Sequence, residues 1–145
     1  MDYSILPLTK ELLEINLPAV LRLDQYIPGE RWNESNFLMD LPGKWDASRI
    51  VFRAGEVIGF QICTVQPESL HIHRKVIDPN YRGYGIGSKL TSDAIRYASE
   101  LNKKMITAKI SPENKIMIAV AEHLGYSIQQ RTQKNVLMVL NILHE

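Results

Sequence analysis

The chain has 145 residues, with 17 Lys+Arg against 16 Asp+Glu and a formal charge of +1. That length suits one domain with an ordinary core, and the absence of a basic stripe argues against nucleic acid as a partner. No run of about 18 apolar residues predicts a membrane span, the single Cys63 cannot form an internal disulfide, and Met1-Asp2-Tyr3 opens no signal peptide, so the chain reads as cytoplasmic.

In chain order, Tyr3–Leu8 predicts a short strand. Thr9 then caps a helix whose Leu12, Leu13, Leu17, Val20 and Leu21 share one broad face, with a bend or interruption expected at Pro18. A loop around Pro28-Gly29 leads to a second short helix near Asn33–Met39, ended by Pro42-Gly43. Arg49–Arg53 and Val57–Val65 read as strands joined by a tight turn at Ala54-Gly55-Glu56. A strand-like run ending at Ile77-Asp78-Pro79 precedes a helix at about Ser88–Asn102, with Leu90, Ala94, Ala98 and Leu101 at core spacing. Lys104–Ile110 reads as a buried strand. Ser111-Pro112 opens a helix over Asn114–Leu124, whose Ile116, Met117, Val120 and Leu124 are expected to face inward, with Gly125 as its C-cap. Tyr126–Arg131 and Val136–Ile142 close as a hairpin. Without repeats or linkers, 1–145 forms one domain. A meander of antiparallel strands followed by a β-loop-α-β unit predicts a mixed α/β sheet with helices on both faces.

Arg82-Gly83-Tyr84-Gly85-Ile86-Gly87-Ser88 is the most informative segment. Glycines on alternate positions remove every Cβ that would hold a ligand away from the backbone. The helix that follows brings free N–H groups and a positive dipole end to the same spot, which suits a phosphate or pyrophosphate. Arg82 adds a cation. The spacing fits neither G-x-x-x-x-G-K-S/T nor G-x-G-x-x-G. It fits R/Q-x-x-G-x-G/A, as Arg82-x-x-Gly85-x-Gly87.

In this pattern the chain resembles the GNAT superfamily of acyl-CoA-dependent N-acetyltransferases. Leu70-His71-Ile72-His73-Arg74-Lys75-Val76-Ile77-Asp78-Pro79-Asn80-Tyr81 is similar to that family's fourth strand and its V-x-P-x-x-R exit. Asn114 through Leu124-Gly125-Tyr126 resembles its N-x-x-A…L-G-F segment. The likeness covers roughly residues 48–126 well and the N-terminal third loosely.

The resemblance implies a mostly antiparallel sheet splayed between its fourth and fifth strands, with acetyl-CoA as co-substrate and no metal. Arg82, Gly83, Tyr84, Gly85, Ile86, Gly87 and Ser88 would hold the pyrophosphate, Val76 and Ile77 the pantetheine through their backbone, and Asn114 the coenzyme. An amine would attack the thioester directly in a ternary complex. Amines of pKa about 8 to 10.4 must first lose a proton, and the family's basic position on the fourth strand falls here on His71, with His73 as second candidate. The tyrosine that protonates the leaving thiolate is replaced by Ala121, which admits water-assisted turnover or, alternatively, a non-catalytic acyl-CoA-binding or regulatory module. Cys63 reads as core rather than as an acyl carrier, and Trp32, Phe37 and Trp45 as packing where relatives build the acceptor pocket. Arg31–Phe37 faintly resembles the W-S/T-E-x-x-F region of enzymes that acetylate protein N-termini. Gln130–Asn135 lacks their tyrosine pair, so a small-molecule amine is preferred over a protein N-terminus. The protein is expected as a monomer or homodimer.

Overall fold

The computed structural model describes residues 1–142, and residues 143–145 of the expected single domain lie outside them. In chain order the elements are β1 (Ser4–Pro7), α1 (Lys10–Asp24), α2 (Glu34–Leu38), α3 (Lys44–Ala47), β2 (Arg49–Arg53), β3 (Glu56–Val65) and β4 (Ser69–Ile77). A 3-10 turn over Pro79–Tyr81 leads to α4 (Ile86–Glu100), β5 (Met105–Ile110), α5 (Lys115–His123), β6 (Ser127–Arg131) and β7 (Val136–Asn141). The strands lie in the order β1-β2-β3-β4-β5-β7-β6. Neighbours are antiparallel except β4 and β5, which run parallel. The mixed α/β sheet with helices on both faces is thus the observed architecture. It is the open, splayed arrangement that the family resemblance implied.

Thr9 caps α1 by accepting from the amide of Leu12 at 3.1 Å, and the helix buries Leu13, Leu17, Val20 and Leu23. Pro18 does not interrupt it. The proline lies on the exposed side beside Glu14, so the carbonyl that loses its donor opens to water while the apolar stripe keeps the helix on the sheet. Ala54 (φ 48°) and Gly55 (φ 81°) form the tight turn between β2 and β3 as two successive left-handed residues, which matches the twist of a hairpin. The short helix α3 is an addition to the sequence expectation. Its Lys44 is fully buried and donates through Nζ to the carbonyls of Asn36, Phe37 and Met39, closing the end of α2.

The core has two sides. On one, α1 and α2 place Leu13, Leu17, Val20, Leu23 and Phe37 against Ile50, Phe60, Ile62 and Val76. On the other, Ala94, Ala98, Ile118 and Ala121 meet Cys63, Leu70, Ile72, Ile106 and Met138, while Ile86 and Leu90 meet Val51 and Ile58.

Two expected core faces are corrected. Leu101 is 39% exposed at the end of α4, and on α5 Ile116 is 81%, Met117 39%, Val120 45% and Leu124 45% exposed. The residues that α5 buries are Ile118 and Ala121. Its sequence is apolar nearly all round, so periodicity does not choose the covered side.

Phe60 is 0% exposed and packs edge-to-face on Phe37 at 5.7 Å. Phe60→Ala is expected to destabilise the protein by about 3–5 kcal/mol, measured as a fall in the urea unfolding midpoint without a change in m.

Candidate active site

The glycine loop is built as a cradle. Gly83 (φ 88°) and Gly85 (φ 80°) take left-handed conformations, and a Cβ on Gly83, Gly85 or Gly87 would meet nothing within 4 Å. Packing therefore does not require these glycines; the space over them is open. Ile86 anchors the loop, being 1% exposed in the cluster with Val51, Ile58 and Leu90. Tyr84 and Ser88 are exposed. Thr9, Asn33 and Asn114 cap α1, α2 and α5, yet no side chain caps α4. Its first amides thus point into open space with the helix dipole behind them. Arg82 holds the carbonyl of Ile77 through Nε at 3.3 Å, leaving the outer guanidinium nitrogens beyond that bond.

Lys75 supports the loop from below, and sequence reasoning missed it. Its Nζ donates to the carbonyl of Gly87 at 2.9 Å and to the hydroxyl of Thr91 at 2.6 Å. Burial lowers its pKa to about 8. Strand alternation, which turns Lys75 toward α4, was the available signal.

The gap beside this cradle is a property of the sheet. β4 and β5 pair from Ser69/Met105 to Ile72/Ala108, and no further. β4 continues to Ile77 and β5 to Ile110, so residues 73–77 have no strand partner on the side that would face β5; there the Ile77 carbonyl accepts from Arg82 Nε. A bulge sits where the strands part. Ile62 opposes Arg74 and Cys63 opposes Ile72, leaving His73 as the extra residue. The bulge turns His73 and Arg74 to one face, where both approach Trp32, at 5.6 and 5.8 Å.

That face is opposite to the cradle. His71 and His73 meet edge-on at 4.6 Å. His71 shares a 2.7 Å hydrogen bond between Nδ1 and the Thr107 hydroxyl, and His73 one of 2.7 Å between Nε2 and the Thr64 hydroxyl. Four polar side chains thus cross β3, β4 and β5. Burial, then the neighbouring His73 and Lys109, lowers His71 to about 4. Burial, then Lys44 and Lys109, does the same to His73. Both imidazoles are neutral at pH 7.

Other candidates separate. Asn114 caps α5, its Oδ1 accepting from the Met117 amide at 3.2 Å. Cys63 is fully buried and its thiol is pushed up to about 12 by burial, as a core residue. Phe37 is core, Trp32 is half-buried beside His73, and Trp45 donates to Asp40 at 2.8 Å. Ala121 is 6% exposed in the cluster that holds Tyr126, whose phenol burial pushes to about 12. Sequence reasoning also missed the pair Asp24–Arg74, 2.6 Å apart and both buried. The spacing of Asp24 from Leu17 and Val20, on the apolar stripe of α1, was its signal. Among the described residues no group of three His, Cys, Asp or Glu could hold a metal ion, and no helix is long and apolar enough to cross a membrane.

Residues 11–126 match the Acetyltransferase (GNAT) family. The chain belongs to that family. It is 26% identical over 152 residues to an uncharacterized N-acetyltransferase of Methanocaldococcus jannaschii, covering 97% of this chain and 67% of that protein. The GNAT fold also matches the ribosomal-protein-S18-alanine N-acetyltransferase of Escherichia coli with a TM-score of 0.77 and 19% identity, over 99% of this chain and 96% of that one. PaiA N-acetyltransferase of Thermoplasma acidophilum, solved in complex with coenzyme A, matches with a TM-score of 0.76 and 12% identity, over 97% and 99% of the two chains.

The two histidines make stability pH-dependent. Their ordinary value is 6.5 and their folded value about 4, so between these the unfolded chain binds protons that the native one refuses. Stability is full above the unfolded value and falls as pH drops through that window. The urea midpoint is expected to fall more between pH 7.5 and 4.5 in the wild type than in His71→Gln/His73→Gln.

Proposed function

We propose that the chain transfers an acetyl group from acetyl-CoA to a primary amine, both bound at once, the amine attacking the thioester carbonyl directly. The observation that carries this is the gap between β4 and β5, with an open glycine cradle on one face and two neutral imidazoles on the other. The donor set suits a pyrophosphate: uncapped amides at the start of α4, the outer nitrogens of Arg82 and the charge of Lys75 behind Gly87. Residues 73–77 of β4 offer main-chain groups to an extended amide-bearing arm, as an added strand would use them. When bound, acetyl-CoA supplies an acyl carbon already activated as a thioester.

The remaining chemistry belongs to the chain. The bulge at His73 lies where the strands part, and a main-chain donor from that stretch would suit the oxygen on which charge develops. With Nδ1 donating to Thr107, His71 keeps a lone pair on Nε2. Its low basicity suits a partner whose acidity rises during the reaction, because the amine N–H becomes acidic as its lone pair forms the new C–N bond. His71 takes that proton while the C–S bond breaks, and His73 orients it edge-on. Water protonates the departing sulfur, since Ala121 carries no acid.

A small primary amine is the preferred acceptor. A protein alanine is the second reading, favoured by the fold shared with the S18-alanine enzyme.

Gly87 lies inside α4 without a positive φ, so substitution there leaves the fold in place; Gly85, at φ 80°, would add strain. Gly87→Glu puts an acid in the first turn, which favours the helix and repels a phosphate. It is expected to leave the melting temperature unchanged or raised and to weaken coenzyme A binding by about 100-fold, read by calorimetry. Unchanged affinity would remove the pyrophosphate seat.

His71→Ala is expected to lower kcat by about 100-fold in a thiol-release assay over a panel of amines, with coenzyme A affinity kept. In the wild type, kcat/KM for the amine should follow the amine's own ionisation, with no limb near 6.5, because both histidines titrate near 4. Coenzyme binding without turnover on any amine would favour the non-catalytic module instead.

A further inference from the structure

The segment between α1 and α2 crosses the mouth of the gap on the imidazole face. Ile27 and Trp32 pack on the core of that side, while 28–31 are exposed. One buried ion pair ties this segment down. Arg74, in the bulged stretch of β4, meets Asp24 through Nε at 2.8 Å and NH2 at 2.6 Å. The NH1 of the same guanidinium donates to the carbonyl of Glu30 at 3.0 Å, and the second oxygen of Asp24 accepts from the amide of Trp32 at 3.1 Å. At its middle the segment reaches the other side of the gap. Gly29 lies so close to Ser111, the residue after β5, that a Cβ on it would stand 3.3 Å from Ser111 Cβ.

A buried ion pair is a poor way to gain stability, since apolar side chains of similar volume often serve as well or better. Here its hydrogen bonds hold two points of an otherwise exposed segment above the place where β4 and β5 part. Resting on the acetyltransferase reading, we propose that residues 25–33 form a fixed strap over the acceptor entrance, and that Arg74, through Asp24 and Glu30, is the positioning residue that sets which amines enter. The acceptor passes between strap and sheet, beside Trp32 and His73, and meets the thioester inside the gap. The coenzyme seat lies on the opposite face and is independent of the strap. The strap therefore governs the amine alone.

Arg74→Lys keeps a cation beside Asp24 but lacks the fork needed to hold Glu30 as well. Losing one charge-assisted hydrogen bond is expected to raise KM for the amine by about tenfold or more. Trypsin cleavage after Arg31 should accelerate, while kcat and calorimetric coenzyme A affinity stay within about twofold. The probes are spermidine, kanamycin and an alanine-initiated peptide, and the ratio of kcat/KM between the best and worst of them should shrink. Ser111→Leu tests the strap from the β5 side with the ion pair intact, lifting Gly29; it should raise the amine KM and leave coenzyme affinity alone. Faster cleavage with an unchanged amine KM in both variants would overturn the proposal, as would a loss of melting temperature with unsplit constants. Turnover by the wild type separates the two levels: none on any probe ends the acetyltransferase reading and the strap with it, whereas turnover with unsplit constants ends the strap alone.

Discussion

The parting of two parallel strands governs this structure. β4 and β5 share hydrogen bonds as far as Ile72 and Ala108, then diverge while both strands continue. A strand edge left unpaired inside a sheet is costly unless something completes it. The extra residue at His73 marks where the divergence begins, because a bulge bends and twists its strand. It also turns His73 and Arg74 to one side, so a single irregularity sets up both the gap and the polar groups that line it.

The two faces of the opening differ in electrostatic character. On the α4 side, groups of positive polarity gather: glycine amides without side-chain cover, an uncapped helix start and the ammonium of Lys75 bound to the Gly87 carbonyl. On the α1 side, charge is removed. Burial holds His71 and His73 neutral, and the cation of Arg74 is matched by Asp24. A neutral environment there favours the unprotonated form of an amine, the form that can act as a nucleophile. Lys109 opposes protonation of both histidines, and Lys44 that of His73.

The glycine loop, the short strands and the first helix were legible from local patterns. Arg82-x-x-Gly85-x-Gly87 named the cradle because glycine spacing and a helix start act locally on the backbone. Thr9 capped α1 as its chemistry suggested. Other features were not legible. Pro18 sits in an unbroken helix because the carbonyl it orphans, that of Glu14, faces water, and the side that α5 buries was not readable because residues 116–121 are all apolar. The partners of Lys75, Arg74 and Asp24 were not legible, because they come from distant elements that only the fold brings together.

By itself, the sequence determined the element types and their order apart from α3, the open backbone at 83–87 and the absence of a tyrosine at 121, since each depends on residues a few positions apart. Tertiary structure alone decided where the pairing of β4 and β5 stops, which histidine nitrogens meet Thr64 and Thr107, and that Asp24 and Arg74 close on each other across 50 positions of chain. Those outcomes depend on long-range register and burial. Whether a charge meets its partner or meets water is settled only when the sheet and its covering helices have come together.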